Sequence, residues 1–443
     1  MNSRRKNQFL IPVGTLLLSA ILFCSQPFFV SPVSAQTIGS SNDSLKLLLH
    51  EIDTAYAQLQ PQVIMPAEGY LKYDYLIPAG FYEQMWDWDG FFIGNHLMNQ
   101  DKHNAKYMKW WVLNFVNSVD SNGYVSGCIT TKGPRPIFGK FAMKPFLSQG
   151  AYLYSKRTGD FDWLKPIYDK LKAVIAYREA TELDSTYDLF YWDIGVQSGA
   201  DNNPAVGNDE KDRGKIIGCD INTFQLREYE AMNLIAKKLG YRTDAEYYHK
   251  KAESLKYAML KHLWFNDDKS FFNIRRDNGE AIKRVTYSNF VPLIEKILQT
   301  EDGRAMIEKY LLNKDYMSAD YGIRSVSRQD PDYNNQVMII PYSNWQGPIW
   351  INANYMDIIA LIRYGFDKEP VTLTEKLARM VLSDIKSCGS MHECYDADTG
   401  APLAPTAEES PNHLFTGFVG WNLLVQDMLE GAVTGKWMML EME

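Results

Sequence analysis

The chain has 443 residues, 46% hydrophobic and 23% charged, with a formal net charge of −8. That acidic balance, with no basic run or patch, argues against nucleic acid or an anionic membrane surface as partner and fits a neutral or cationic small molecule. The length permits one large domain or two or three ordinary ones.

Residues 1–35 read as a secretory leader. Arg4, Arg5 and Lys6 precede the apolar core FLIPVGTLLLSAILF, and Val33-Ser34-Ala35 supplies a small-residue cleavage site. Cleavage predicts an exported protein, periplasmic or secreted, and by removing three positive charges and no acids it takes the net charge to −11. A lipid anchor on Cys24 is disfavoured, because bulky Phe23 precedes it. No later run is long and apolar enough to span a bilayer, so no stable membrane association is expected after cleavage.

From residue 36 to 443, apolar residues recur at three- and four-residue spacing. The pattern predicts helices over 221–240, 244–264, 352–366 and 375–385, and a weaker helix-turn-helix rhythm over 149–178 and 291–312. The first two are joined by a short polar turn and predict an antiparallel α-hairpin. Between the helices lie long aromatic, glycine-rich loops at 78–90, 123–146, 187–219, 316–350 and 388–416, too aromatic to be disordered. With no linker between them, these elements predict a single all-α domain of repeated hairpins with its loops gathered at one end.

Cys128, Cys219, Cys388 and Cys394 follow the leader. Their even number permits disulfides in an exported protein, and close spacing favours the pair Cys388–Cys394. No CxxC or HExxH pattern occurs, so neither a metal nor another cofactor is expected. The run Asp396-x-Asp398-x-Gly400 lacks the other ligands of a calcium loop and reads as a turn.

Trp86, Trp88, Trp192, Trp345 and Trp350 fall in the loops, each beside an acid or amide. Flat rings that stack on C–H faces, next to groups that bond hydroxyls, suit a carbohydrate. The competing reading is that tryptophan is simply a large core residue, and it is preferred for Trp110, Trp111, Trp163, Trp264 and Trp421. In YDLFYWDIGVQSGADNNP, Asp201 sits on irregular backbone between glycines and asparagines. It is either a turn or cap residue, or a general acid that aromatic surroundings keep protonated near neutral pH.

The segments MWDWDGFF (85–92), QSGADNNP (197–204), CDINTFQLREYEAM (219–232), NWQGPIWINANY (344–355), HECYDADTG (392–400) and FTGFVGWNLLVQDML (415–429) resemble, in order, the motifs of inverting α-glycosidases. That clan of six-hairpin barrels includes the trehalases and glycoside hydrolase family 63, with its processing α-glucosidases and bacterial mannosylglycerate and glucosylglycerate hydrolases. The resemblance implies an (α/α)6 barrel and two catalytic carboxylates, Asp201 as acid and Glu393 as base. It further implies a sugar pocket built by Trp86, Trp88 and Asp89 and walled by Trp345, Gln346, Gly347, Pro348 and Trp350. Arg135 and Gln149 stand where relatives contact substrate. Arg135 would hold a carboxylate on the aglycone, or would only pair with a surface acid. His392 would orient the Glu393 loop. Two positions depart from the pattern: Gln197 replaces a glutamate and Asn203 a serine, and loss of the nearby negative charge should lower the value of Asp201 relative to relatives.

These residues predict inverting hydrolysis of a small α-glucoside or α-mannoside, such as glucosylglycerate or mannosylglycerate. A catalytically silent carbohydrate-binding barrel is the alternative, motivated by Gln197. A sugar epimerase or isomerase ranks third, since of the seven histidines only His96, His392 and His413 fall near the candidate loops.

Overall fold

Ten helices of eleven residues or more run through the described chain: α1 (Asn42–Leu59), α2 (Asp87–Gln100), α3 (Ala105–Asn117), α4 (Leu147–Thr158), α5 (Tyr168–Glu182), α6 (Cys219–Leu239), α7 (Arg242–His262), α8 (Ile351–Arg363), α9 (Lys368–Cys388) and α10 (Leu424–Thr434). The structure, a computed structural model, describes residues 42–338, 343–438, 440 and 442. The leader assigned to residues 1–35, Cys24 included, lies outside the described residues, as do positions 339–342 of the 316–350 loop.

Burial divides the helices into two layers. In α2, twelve of fourteen residues are buried, whereas α7 buries only six of twenty-one, at three- and four-residue spacing. A helix covered on all sides belongs inside, and one with a single apolar stripe belongs outside. Each inner element packs on the next: α2 on α4, α4 on α6, α6 on the short turns Tyr287–Phe290 and Val291–Glu295, those on α8, α8 on α10, and α10 back on α2. The ring is closed. Outside it, α3 packs against α2 and α4, α7 against α6, and α1 and α9 against α10. Six inner and six outer elements make the expected (α/α)6 barrel, with Thr300–Met306 and its π-turn Ile307–Leu311 as the sixth outer piece.

The loop regions hold more order than periodicity indicates. A four-stranded sheet joins Leu183–Asp184, Leu189–Trp192, Ile216–Ile217 and Ile274–Arg275, and a three-stranded one joins Met85–Trp86, Cys128–Thr130 and Gly133–Pro134. Strands of two to four residues are too short for alternation to show in a sequence. The 78–90 segment is likewise not all loop, because α2 begins at Asp87 and puts Trp88 and Asp89 in its first turn. The disulfide expected between Cys388 and Cys394 is absent among the described residues, where all four cysteines are free. Cys388 Sγ donates to Asp384 Oδ1 at 3.5 Å and Cys394 Sγ to the carbonyl of Leu403 at 3.6 Å, so each thiol has its own partner.

Candidate active site

One cavity of about 410 Å3 opens among the inter-helical loops, at the lower end of the roughly 300–1,000 Å3 typical of small-ligand sites. Asp89, Asp201 and Glu393 all line it, with Trp86, Trp88, Trp345, Trp350 and Arg135. Residues more than 300 positions apart thus meet because the barrel gathers its loops at one end.

Asp89 is placed by the strand-to-helix junction before α2. Trp86 pairs with Cys128 across a short antiparallel ladder, and Asp87 then opens the helix. The Asp87 carboxylate accepts from the backbone N–H of Lys144 at 2.7 Å and from its Nζ at 3.1 Å, which clamps the 141–146 segment to the helix start. Burial holds the Asp89 carboxyl well above the usual range, against the opposing pull of Lys144.

Asp201 follows a four-residue helix, Gly195–Ser198, that ends at Gly199 with φ +86. A Cβ at Gly199 would stand 2.8 Å from Trp88 Cζ2, so only glycine lets the acid's loop close on the tryptophan. The Asp201 carboxyl is pushed up to about 7 by burial, moderated by the backbone N–H of Ser343 and the charge of Lys144. A carboxyl so shifted keeps a substantial protonated fraction at neutral pH.

Glu393 lies two residues before Tyr395, which exchanges backbone hydrogen bonds of 2.7 and 3.1 Å with Ile349. Its Oε1 accepts from Tyr82 Oη at 2.7 Å and its Oε2 from Ser343 Oγ at 3.1 Å. Burial raises this carboxyl to about 7 as well; the Tyr82 hydroxyl lowers it, the Asp201 charge raises it and the Ser343 hydroxyl lowers it. Ser343 also donates its backbone N–H to Asp201 Oδ2 at 3.1 Å. Two hydrogen bonds and one serine therefore join the carboxylates, which limits their separation to about 10 Å.

The tryptophans form a packed floor. Trp345 and Trp350 stack at 4.1 Å and 10°, Trp88 lies 5.9 Å from Trp345 and Trp421 6.0 Å from Trp350, and Trp88 and Trp421 meet each other at 5.6 Å. Each of the four is at most 4% exposed, so they offer edges to a ligand and little open face for stacking. The indole N–H groups of Trp86 and Trp421 are buried with no protein acceptor. Unpaired donors on a cavity wall are where a ligand's hydroxyls would bond.

Four predicted contact residues are not brought to the cavity. Gln149 is fully buried, donating to the carbonyls of Pro145 and Phe224 and accepting from Arg227 Nε at 2.8 Å, so it ties α4 to α6. Gln346 donates to the Asn202 carbonyl at 3.1 Å and accepts from Asn334 Nδ2 at 3.0 Å. Gly347 allows a close backbone approach, since a Cβ there would lie 2.2 Å from the Asn334 carbonyl oxygen. His392 turns away and bonds Asp384 through Nδ1 at 2.9 Å, behind Glu393. Asp384, Cys388 and His392 could offer a metal three ligand atoms within 4.8 Å of one another. The Asp384 oxygens are already taken by the backbone N–H and ring of His392 and by Tyr395 Oη, and the cluster acts as a brace under the Glu393 segment.

Trp421, expected in the core, lines the cavity, as do Tyr82, Lys144 and Ser343, which sequence reasoning passed over. His96 pairs with Asp427 on the barrel's inner side, and none of His96, His392 and His413 lines the cavity, which removes the support for an isomerase. Gln197 Oε1 accepts the backbone N–H of Asp193 at 2.5 Å and also stays off the cavity. The Asp396–Gly400 run is the predicted turn, with Asp396 Oδ1 accepting the N–H groups of Asp398 and Thr399.

Residues 82–416 match the mannosylglycerate hydrolase MGH1-like glycoside hydrolase domain. The chain belongs to this family of glycoside hydrolases. Among curated relatives, a mannosyl-oligosaccharide glucosidase of Arabidopsis thaliana is 28% identical over 33% of the chain and 18% of its own length. The mannosylglycerate hydrolase of Rubrobacter radiotolerans is 22% identical over 41% and 38%. The chain thus spans well under half the length of these two relatives, whereas its match to the trehalase of Tenebrio molitor, at 21% identity, covers 85% of the chain and 75% of that enzyme. Solved structures share the fold. The GH63 mannosylglycerate hydrolase from Thermus thermophilus in complex with Tris and D-glycerate superposes with a TM-score of 0.65 at 16% identity, covering 86% of this chain and 99% of that one. The neutral trehalase from Saccharomyces cerevisiae gives 0.58 at 14%, covering 82% and 76%.

Proposed function

We propose that the protein is an exported inverting α-glycosidase acting on a small α-glucoside or α-mannoside with a compact, acidic aglycone such as glycerate. What carries this reading is the pair Asp201 and Glu393, set on one cavity, joined through Ser343 and surrounded unequally. Glu393 accepts two hydroxyl donors while Asp201 accepts one backbone N–H. More donors favour the ionised form, so Glu393 serves as base and Asp201 as acid. The serine bridge leaves room for the roughly 6.5–9.5 Å separation that admits a water between them.

In the proposed reaction, Glu393 takes a proton from water as its oxygen bonds the anomeric carbon. The glycosidic bond breaks on the opposite face, its electron pair goes to the leaving oxygen, and that oxygen takes the Asp201 proton. Asp89 anchors the sugar hydroxyls, and the indole N–H groups of Trp86 and Trp421 supply further donors. The acidic aglycone is supported by Arg135, exposed on the cavity rim with no carboxylate partner among the described residues. The relatives named for mannosylglycerate, and the D-glycerate seen with one of them, agree with that choice. Gln197 no longer favours a silent binding protein, since it bonds backbone outside the cavity. Export is supported by the leader pattern of residues 1–35, and the secreted form should begin at Gln36 by N-terminal sequencing.

The test is proton NMR of turnover on glucosylglycerate, mannosylglycerate, glucosylglycerol, trehalose and short α-glucans. The β-anomer should appear first, and Asp201→Asn or Glu393→Gln should cut kcat by about 10²–10⁴-fold. Initial release of the α-anomer, or full activity in both variants, would sink the assignment.

A further inference from the structure

Ser343 is 4% exposed, lines the cavity and touches both carboxylates with different atoms, its backbone N–H on Asp201 and its hydroxyl on Glu393. Its segment lies between the two loops it joins. On one side Trp345 N–H donates to Asn202 Oδ1 at 2.5 Å and Gln346 Nε2 to the Asn202 carbonyl at 3.1 Å, which binds the segment to the loop of Asp201. On the other side Ile349 pairs with Tyr395, two residues past Glu393. Asn344, next in sequence, is held by Asn334 Oδ1 at 2.8 Å and the Gln336 carbonyl at 2.9 Å, so the serine's backbone is fixed from several directions.

We propose that Ser343 is a positioning residue that sets the gap between acid and base and orients the attacking water within it. This deepens the glycosidase reading above and rests on it. A serine hydroxyl has one hydrogen, here given to Glu393, and two lone pairs left to accept. A water in the gap gives one hydrogen to Glu393 and the other to Ser343 Oγ, which leaves an oxygen lone pair directed at the sugar. In the step itself the first hydrogen passes to Glu393 as a proton, and the second stays on the new hydroxyl of the sugar. Ser343 gains and loses nothing. Around Glu393 the other titratable groups are Tyr82 from the loop before α2, Asp89 from α2, Asp201 across the gap and Cys394 beside it, with Lys144 beyond, paired to Asp87.

Ser343→Ala separates the two contacts, because it keeps the backbone N–H on Asp201 and deletes only the hydroxyl. With a substrate that the wild type turns over, kcat should fall about 10- to 100-fold with little change in KM. The acidic limb of the kcat/KM profile should move to higher pH, since a carboxylate that loses a donor protonates more readily, while the alkaline limb stays in place. Ser343→Thr should restore rate and profile, and its isostere Ser343→Val should not, a comparison that holds even if the alanine variant melts early. An alanine or valine variant with wild-type kcat and an unmoved acidic limb would overturn the proposal, as would equal movement of both limbs. Absence of turnover by the wild type on every substrate would instead remove the glycosidase reading itself.

Discussion

Two carboxyls raised to about 7 in one cavity carry a cost in stability and, on the proposed mechanism, should set the pH of action. On the proposed mechanism hydrolysis needs one protonated and one ionised, so the kcat/KM profile should be a narrow bell centred near pH 7, its acidic limb following Glu393 and its alkaline limb Asp201. In the unfolded chain both groups ionise near pH 4. Between about pH 4 and 7 the folded state therefore keeps protons that the unfolded state has lost, and stability falls as pH rises through that window. Asp201→Asn removes one of these groups. It should melt about 1–4 °C above wild type at pH 8 and level with it at pH 4, by calorimetry at both values. A variant that melts below wild type at pH 8 would show that the acid's burial is not a source of instability.

At the scale of elements, the site depends on a close approach between the acid's loop and the first turn of α2. Gly199 makes that approach possible. Gly199→Ala must adopt a left-handed backbone at a cost of about 1–2 kcal/mol and push against Trp88. A shift of about 1 Å in Asp201 is enough for a 10²-fold loss, so activity should fall at least tenfold while the circular dichroism spectrum stays that of the wild type. Retained activity would mean that the loop is free to re-form. The same level explains what could be read beforehand. The long helices were legible because a buried stripe imposes a period on the sequence, Asp201 and Trp86, Trp88, Trp345 and Trp350 because acids and aromatics among glycines are chemically unusual, and Asp89 and Glu393 because their segments resemble the motifs of a known family. Trp192, read with the other loop tryptophans, is instead buried off the cavity with its indole N–H on Asp220 Oδ1 at 2.8 Å. Tyr82, Lys144 and Ser343 left no such trace, being common residue types whose place depends on loops folding across the barrel. Gln149, Gln346, Gly347 and His392 misled for the opposite reason. They sit inside or beside recognisable motifs yet spend their polar groups on backbone and neighbours behind the cavity.

For the whole molecule, closure of the ring is the decisive property. The family match runs over residues 82–416, but the ring needs α10 from Leu424 and its outer partner α1 from Asn42. The first and last of the described helices meet there: α1 packs on α9 and α10, and Tyr56 Oη donates to the Asn422 carbonyl at 2.7 Å. Asn422 Nδ2 in turn donates to the carbonyl of His392, one residue before the base. A chain cut to residues 82–416 would expose the apolar sides of α2, α8 and α9 and should fail to fold, as read by circular dichroism and gel filtration. A folded, active product of that length would show that the outer layer at this seam is dispensable.

Asp89, Asp201 and Glu393 face one another across a cavity whose buried lysine is already paired with Asp87. Once ionised they would favour a small cation, and in the proposed reaction the sugar becomes cationic only in the transition state. A protonated amine bearing hydroxyl groups copies that charge in its resting state. On the proposed mechanism, amine buffers of this kind should compete with the substrate, and their inhibition should strengthen as pH rises through the window in which the pair loses its protons.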